Sequence, residues 1–269
     1  MKKLSYFVLL TTITLFASCT NSSNDSSSAT SRNVSVYLTD APIPPNATPW
    51  QHYTAVNLDV KGIQYIGKDS VWKAANFTEA VFNIKLLANG DSSLLSKIQI
   101  PNGDCIRQIR FILGKNNDVI LANGITKPLI IPSRSDSSLV VCVHETIPST
   151  GNYSIMLDFD IPHSVVMDVK GSYYLIPVMR GFVVDATSSI QGYVLPLKLA
   201  TKVFVVCGSD TIATASDSTR CNYFKLSGFV PGTYTVQFMP FDSARVTYTS
   251  VVNVQLGHNT NMGLVKVIR

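Results

Sequence analysis

The chain has 269 residues, of which 46% are hydrophobic and only 14% are charged, a composition that excludes an intrinsically disordered protein. Its formal net charge is +5 at pH 7. The lysines and arginines are scattered rather than clustered, which argues against a nucleic-acid partner. Thr, Val and Ile are frequent and Ala/Glu/Lys/Leu blocks are absent, so we expect a mainly β protein, and the length favours two domains.

The start of the chain has the layout of a secretory signal. Lys2 and Lys3 precede an apolar run of about 15 residues, which is shorter than the roughly 20 residues needed to cross a bilayer. Small residues then lead into Cys19. This layout resembles a bacterial lipoprotein signal, with residues 1–18 removed and Cys19 lipidated, although Phe16 stands where such signals usually have Leu. The alternative is an ordinary secretory signal in which Cys19 is incidental.

The next part of the sequence changes from a polar segment to strand patterns. Residues 19–32 are rich in Ser, Asn and Thr and predict a flexible tether. From Asn33 onwards, alternating apolar and polar residues separated by turn signals predict about nine strands. We expect these strands to form an antiparallel β-sandwich over residues 33–186. The segment 77–95 fits short helical turns as well as strands, so both structures stay open there.

Five ordered segments of this region carry a family resemblance. They are Thr39-Asp40-Ala41-Pro42, Val56 to Ile63, Gln108 to Gly114, Leu157 to Asp160, and Tyr174 to Arg180. Together they resemble domain-of-unknown-function family 4382, whose members occur as bacterial envelope lipoproteins. The sequence departs from the family at Cys105, where members tend to have Tyr, which favours a local structural use of this cysteine. The resemblance implies a location and a fold, and it implies no established activity.

Residues 187–269 show a separate pattern of short strands and turns. Pro231-Gly232 predicts a tight turn that feeds the strand after it, because Pro fixes φ and Gly permits a positive φ. This part resembles the carboxypeptidase regulatory-like, prealbumin-type β-sandwich. The resemblance implies a second, smaller β-sandwich that acts as a spacer or binding module and has no catalytic residues of its own.

The remaining cysteines predict disulfides. With Cys19 lipidated, proximity in sequence favours pairing of Cys207 with Cys221 and of Cys105 with Cys142 in an oxidising envelope compartment. The competing interpretation is a zinc site. The sequence contains no Cys-x-x-Cys, and its four histidines lie far apart, so we expect neither a metal nor another cofactor.

Four aspartates are the candidate calcium ligands: Asp40, Asp59, Asp158 and Asp160. Carboxylates near strand ends could combine into an oxygen cage, but no EF-hand-like spacing is present. We expect these side chains instead to cap turns and to pair with arginines. A carboxylate pair such as Asp158 and Asp160 could also serve a hydrolase. No common catalytic motif occurs in the sequence, so the interpretation includes no catalytic residue and no enzyme activity.

Two features point to glycans. Four short Asp-Ser or Asp-Thr motifs resemble the O-glycosylation motif of Bacteroidetes envelope proteins, and their hydroxyls belong to Ser70, Thr211, Ser218 and Ser243. All four lie near predicted turns, where a glycosyltransferase has access. Aromatic side chains could also form a sugar-binding platform, although core packing explains most such residues. The aromatic candidates are Trp50, Tyr53, Trp72, Tyr173, Tyr174 and Tyr223.

These observations predict a non-catalytic lipoprotein of the cell envelope, held on the outer membrane by acyl chains such as palmitate on Cys19. It faces the periplasm or the outside and acts as a binding or scaffolding module for a glycan or an envelope protein. One alternative is a fimbrillin-like pilus subunit, processed near Arg32 just before the first strand and assembled by strand addition. A second alternative is a carboxylate-dependent hydrolase.

Overall fold

The computed structural model describes residues 30–41, 53–132, 138–143, 151–208, 210–241 and 247–267. In these ranges the chain consists mostly of β-strands, so the prediction of a mainly β protein is confirmed. The predicted signal, Cys19 and most of the predicted tether lie outside the described residues. Across the ranges given above, no helix combines the length and the apolar character that a membrane crossing needs.

The first part of the chain contributes thirteen described strands and one short α-helix. The strands are β1 (Ser31–Ala41), β2 (Tyr53–Ile66), β3 (Trp72–Ala74), β4 (Ala80–Asn83), β5 (Ser93–Pro101), β6 (Gln108–Leu113), β7 (Asp118–Leu121), β8 (Thr126–Ile130), β9 (Ser138–Cys142), β10 (Tyr153–Asp160), β11 (Val165–Met167), β12 (Tyr173–Leu175) and β13 (Met179–Val183). The α-helix is α1 (Ile161–Ser164), and two 3-10 turns cover Ile84–Leu87 and Val184–Ala186.

These strands form two sheets that enclose one hydrophobic core, and we call this unit the first sandwich. One sheet has the order β13-β10-β1-β5, and the other has the order β11-β12-β8-β7-β2-β6-β9, with β3 and β4 also paired to β2. β2 organises the larger sheet because its 14 residues pair with four other strands. A register shift between Val60 and Gly62 interrupts its pairing with β6.

The core of the first sandwich follows from alternation in its strands. Val34, Val36 and Leu38 of β1 are fully buried, and so are Ile155 and Leu157 of β10 beside them. Each such side chain contributes about 1.5 to 3 kcal/mol to folding when it leaves water. The pattern that predicted a half-buried first strand therefore reflects real burial of one face.

The second part of the chain forms a smaller sandwich, called here the second sandwich. Its strands are β14 (Ser188–Leu195), β15 (Thr201–Cys207), β16 (Asp210–Ala215), β17 (Tyr223–Phe229), β18 (Gly232–Pro240), β19 (Tyr248–Val254) and β20 (Asn259–Lys266). The two sheets have the orders β17-β14-β20 and β16-β15-β18-β19. They enclose a second core, in which the rings of Phe224 and Phe238 lie 5.5 Å apart in an edge-to-face arrangement.

Strand pairing in the first sandwich is mostly antiparallel, as predicted, with two exceptions: β1 pairs with β10 and β12 with β8 in parallel. In the second sandwich, β14 pairs with β20 in parallel. Parallel neighbours must be joined by a long crossover, and these pairs are distant in sequence, so turn signals between successive strands do not reveal them. The open segment 77–95 is also resolved: it contains β4, a 3-10 turn and the start of β5.

Candidate functional site

The two sandwiches meet at a cleft with a volume of about 790 Å³, which we call the inter-sandwich cleft. The ends of β10 and β13 and helix α1 form one wall, and β15, β16 and the turn from β17 to β18 form the other. Its lining includes Asp160, His163, Lys202, Thr211, Phe229 and Tyr234. Clefts of this size at domain interfaces are the usual form of small-ligand sites, which makes it the candidate functional site.

Arg180 lies at the base of the cleft and joins its two walls. β10 and β13 place Asp158 directly opposite Arg180, and Nε and Nη2 lie 2.8 Å and 2.7 Å from Oδ2 of the aspartate. Nη2 also donates to the backbone carbonyl of Ser227 in β17 at 2.9 Å. One guanidinium therefore pairs with a carboxylate of the first sandwich and holds the backbone of the second.

The buried environment of Asp158 strengthens its electrostatic interaction with Arg180. The Asp158 side chain is only 9% exposed, whereas that of Arg180 is 38% exposed. Burial raises the pKa of Asp158 above its usual range, and the charge and hydrogen bonds of Arg180 act in the opposite direction. Burial therefore makes ionisation of Asp158 unfavourable in free energy, and Arg180 offsets part of that penalty.

An aspartate and a histidine form the first wall of the cleft. Asp160 caps α1, since its Oδ1 accepts the His163 backbone N–H at 3.1 Å. Its other oxygen, Oδ2, lies 2.7 Å from Nδ1 of the same histidine, whose side chain is 75% exposed. The cap orients the imidazole and leaves Nε2 as the ring nitrogen that a ligand can reach.

The second wall combines aromatic surface with a cation. The Tyr234 hydroxyl donates to the Val230 carbonyl at 2.8 Å, and its ring packs edge-to-face on Phe229 at 4.9 Å. These contacts fix the turn between β17 and β18. Lys202 lies on the same wall, with Nζ 5.1 Å from the ring centroid of Phe204. The cleft thus offers apolar area together with an acid, an imidazole and an ammonium group.

Buried contacts next to the cleft fix how the sandwiches are oriented. The Thr214 hydroxyl donates to Oδ1 of Asn89 at 2.8 Å, and both residues are buried between the two units. Gly90 follows with a φ of +90°, and a Cβ added there would lie 2.7 Å from Cδ of Lys225. The positive φ favours glycine at this position, which lies against the Lys225 side chain of the second sandwich.

The four calcium candidates do not form one oxygen cage. Asp59 lies in the larger sheet, with Lys61 3.1 Å away and the Asn116 backbone N–H donating to it. Asp158 and Asp160 are held by Arg180 and His163, as described above. In the parts of the chain that the structure describes, no cluster of three or more His, Cys, Asp or Glu side chains has the geometry to bind a metal.

Asp40 fails as a calcium ligand for a different reason. It is buried, and neither carboxylate oxygen has a well-formed hydrogen bond to the described residues. Burial and then the neighbouring carboxylates of Asp158 and Asp160 raise the pKa of Asp40 well above its usual range, while the Ile161 N–H and Lys85 lower it less. A buried carboxyl group whose charged form is disfavoured is a poor calcium ligand.

Neither predicted disulfide is present in the structure. Cys207 ends β15 at the hairpin into β16, and Cys221 follows the far end of β16, so roughly 17 Å of strand separates them. Cys142 pairs with Gln108, three residues past Cys105. All four of these thiols are free in the structure.

The predicted glycosylation residues are accessible where they are described. Ser70, Thr211 and Ser218 are exposed, the first in a turn, the second at the start of β16 and the third in a 3-10 turn. The Ser70 hydroxyl accepts a hydrogen bond from Arg107 at 2.7 Å. Ser243 lies outside the described residues. Thr211 also lines the inter-sandwich cleft, which its sequence position gave no reason to expect.

The predicted processing site at Arg32 needs correction. Arg32 lies inside β1 and is buried, with its guanidinium 4.8 Å from the ring centroid of Tyr153 and donating to the Asp104 carbonyl. It also pairs with Ile100 of β5 across the strand ladder. A protease cannot reach this peptide bond without unfolding the strand, so Arg32 is a structural residue.

The aromatic residues do not share a surface. Tyr53 and Tyr173 are buried and pack edge-to-face, so they belong to the core. Trp72 covers the guanidinium of Arg110, whose Cζ lies 3.8 Å from the ring centroid. The Tyr174 hydroxyl donates to Asp168, while Tyr223 packs against Tyr193. Trp50 lies outside the described residues, and a shared sugar platform is not formed by the others.

Sequence reasoning missed the residues that define the cleft. His163, Lys202 and Tyr234 belong to three separate stretches of chain, and no motif connects them. One signal was available: Asp160-Ile161-Pro162 is a typical helix start, with a capping residue followed by Pro in the first turn. That signal predicts the cap and with it the contact between Asp160 and His163.

Comparisons with known proteins give a family and weak structural likenesses. The model of a family described as "Domain of unknown function (DUF4382)" matches residues 32–177. No curated protein matches the chain. The Bacillus anthracis TIE protein is 7% identical, with 87% of this chain and 34% of that chain covered and a TM-score of 0.24, so the chain spans about a third of that protein.

Two pilins are similar over almost their whole length. A mutant of the shaft pilin SpaA from Lactobacillus rhamnosus GG is 11% identical, covering 89% of this chain and 99% of that chain, with a TM-score of 0.24. The minor pilin GBS52 of Streptococcus agalactiae is 10% identical, covering 88% and 97%, with a TM-score of 0.25. TM-scores this low carry no argument about function.

Proposed function

Because the chain belongs to the DUF4382 family, whose model matches residues 32–177, we propose that it is a non-catalytic ligand-binding protein of the bacterial cell envelope. The observation that carries this proposal is the inter-sandwich cleft. It is large enough for a small ligand, its walls come from two sandwiches held together by Arg180, and its lining mixes apolar, acidic and basic groups.

The lipid anchor is the second element of the proposal. The sequence up to Cys19 supports removal of a signal and acylation of this cysteine at the outer membrane. Two or more acyl chains give lasting attachment, since each buried methylene contributes about 0.8 kcal/mol. The anchored protein would present the second sandwich, a prealbumin-like module, and the cleft at the membrane surface.

Both alternatives lose support from the site. The pilus-subunit alternative placed its processing near Arg32, which is buried inside β1. The hydrolase alternative required two available carboxyl groups, but Asp158 is paired with Arg180 and Asp160 caps α1. The geometry therefore favours binding at the cleft over either alternative.

The proposal is tested by filling the cleft. Thr211→Trp places a large side chain in the cleft, and Thr235→Trp places the same side chain on an exposed position of β18 in the same sheet. Thermal unfolding is measured with oligosaccharides and muropeptides released from the envelope of the host. We expect a ligand to raise the unfolding temperature of the wild type and of Thr235→Trp, and not that of Thr211→Trp. Equal stabilisation of both variants would place binding elsewhere.

A further inference from the structure

Strand β19 is an open edge of the second sandwich. It is the last strand in the sheet order β16-β15-β18-β19, so one side of it pairs with β18 and the other has no partner strand among the described residues. Seven consecutive pairs join it to β18 without a register shift, from Tyr248 opposite Phe238 to Val254 opposite Gly232. An edge of this length presents regularly spaced backbone N–H and C=O groups to solvent.

Within the described residues, β19 lacks the charges, Pro and bulges that usually prevent edge-to-edge pairing. Natural proteins protect exposed edges with charged residues, Pro, bulges or a covering segment. The sequence of β19, Tyr-Thr-Ser-Val-Val-Asn-Val, contains no charged residue and no Pro, and its ladder has no bulge. Val251 at its centre is 68% exposed.

Other edge strands of the described sheets have features that protect them from edge-to-edge pairing. Five of them carry a charged side chain, namely β3, β5, β13, β17 and β20, with Lys73, Lys97, Arg180, Lys225 and Lys266. The edge strand β11 has only three residues. β9 is uncharged, but β13 packs beside it, since a Cβ on Gly181 would lie 2.8 Å from Val141.

We propose that two copies of the chain associate by antiparallel pairing of β19 with β19, which joins two four-stranded sheets into one of eight strands. The strand is self-complementary about Val251. A two-fold axis there sets Val251 opposite Val251, Ser250 opposite Val252, and Tyr248 opposite Val254. No pair brings like charges together, and the apolar pairs each add about 0.2 to 1 kcal/mol. A second copy therefore fits this edge without any adjustment of register.

The test measures self-association of the full chain carrying Cys19→Ser, which removes the acyl anchor. Sedimentation is measured at protein concentrations from about 10 to about 500 µM, because the population of a weak dimer depends on protein concentration. Val251→Lys sets two ammonium groups against each other on the axis, and we expect it to raise the dimer dissociation constant at least about tenfold. The control is Val206→Lys, which adds the same charge to the central strand β15 of the same sheet. The Val206 side chain is 53% exposed, so this variant should fold normally and leave the dimer intact.

Cross-linking locates the contact and does not depend on the lysine variant folding normally. In a background with Cys221→Ser, which removes the exposed cysteine, Val251→Cys should cross-link to a second copy with a short bismaleimide, and Val206→Cys should not. A chain that remains monomeric over the whole range overturns the proposal. A dimer that survives Val251→Lys, or one that both lysine variants abolish equally, overturns it as well.

Discussion

Replacement of Arg180 by Met tests the electrostatic argument about the base of the cleft. The substitution keeps apolar bulk but leaves the buried Asp158 carboxylate without its cation and removes the hydrogen bond to Ser227. Breaking a fully buried pair by removing one partner costs about 3 to 5 kcal/mol. Because Arg180 is 38% exposed, solvent screens part of this interaction, and we expect a loss of about 2 to 3 kcal/mol near pH 7.5.

The loss of unfolding free energy in Arg180→Met should be larger at neutral pH than at acidic pH. Burial already raises the pKa of Asp158 in the folded protein, and removing Arg180 raises that pKa further. A group with a raised folded-state pKa contributes most stability below its unfolded pKa and loses that contribution as pH rises through the folded value. Lowering the pH to about 4 favours the neutral form of Asp158, so Arg180→Met should lose less stability there than it does near pH 7.5.

Urea unfolding at the two pH values measures both quantities. Arg220→Met is the matched control, because Arg220 lies 3.5 Å from Asp91 and both side chains are exposed. Exposed pairs of this kind contribute about 0 to 1 kcal/mol, so this control should change the unfolding free energy little at either pH. A loss below about 0.5 kcal/mol for Arg180→Met at pH 7.5, or an equal loss at both pH values, would refute the reasoning.

Three further predictions concern the core, a close backbone approach and the anchor. Phe238→Ala should destabilise the second sandwich by about 3 to 5 kcal/mol in urea unfolding, since this ring is fully buried, and a loss below about 1 kcal/mol would contradict that. Gly114→Ala should cost about 1 to 3 kcal/mol because its Cβ would lie 2.1 Å from Oδ2 of Asp59, whereas the control Gly62→Ala meets only ordinary contacts and should cost less in the same assay. Cys19→Ser should move the protein from the membrane to the soluble fraction of its host, and continued sedimentation with membranes would disprove lipid attachment at this residue.

The sequence predicts those parts of the fold that depend on local alternation. β1 is an example, because Val34, Val36 and Leu38 are buried in the order that their spacing indicates. The partners of β1 are not encoded locally. Its parallel neighbour β10 begins more than a hundred residues later, and no turn signal links the two strands. Strand existence could therefore be predicted, whereas the mixed pairing could not.

The candidate site shows the same division. The pairing of an aspartate with an arginine could be expected from residue types, and Asp158 with Arg180 is such a pair. The cleft itself depends on how two sandwiches dock, which is decided by contacts such as Asn89 with Thr214 between residues distant in sequence. The cysteines give a related example, since proximity in sequence favours pairing of Cys207 with Cys221, whereas strand β16 lies between them in the structure and both are free.

The parallel pairing of β14 with β20 has a mechanical consequence. Tension applied between the start of β14 and the end of β20 slides the two strands along each other, so their hydrogen bonds share the load simultaneously. In the first sandwich, β13 runs antiparallel to β10, so the start of β1 and the end of β13 lie at the same end of the sheet. Tension between those points peels the sheet one bond at a time. Under a steady pull along the chain, we therefore expect the first sandwich to unfold first and lengthen the protein, while the second stays folded.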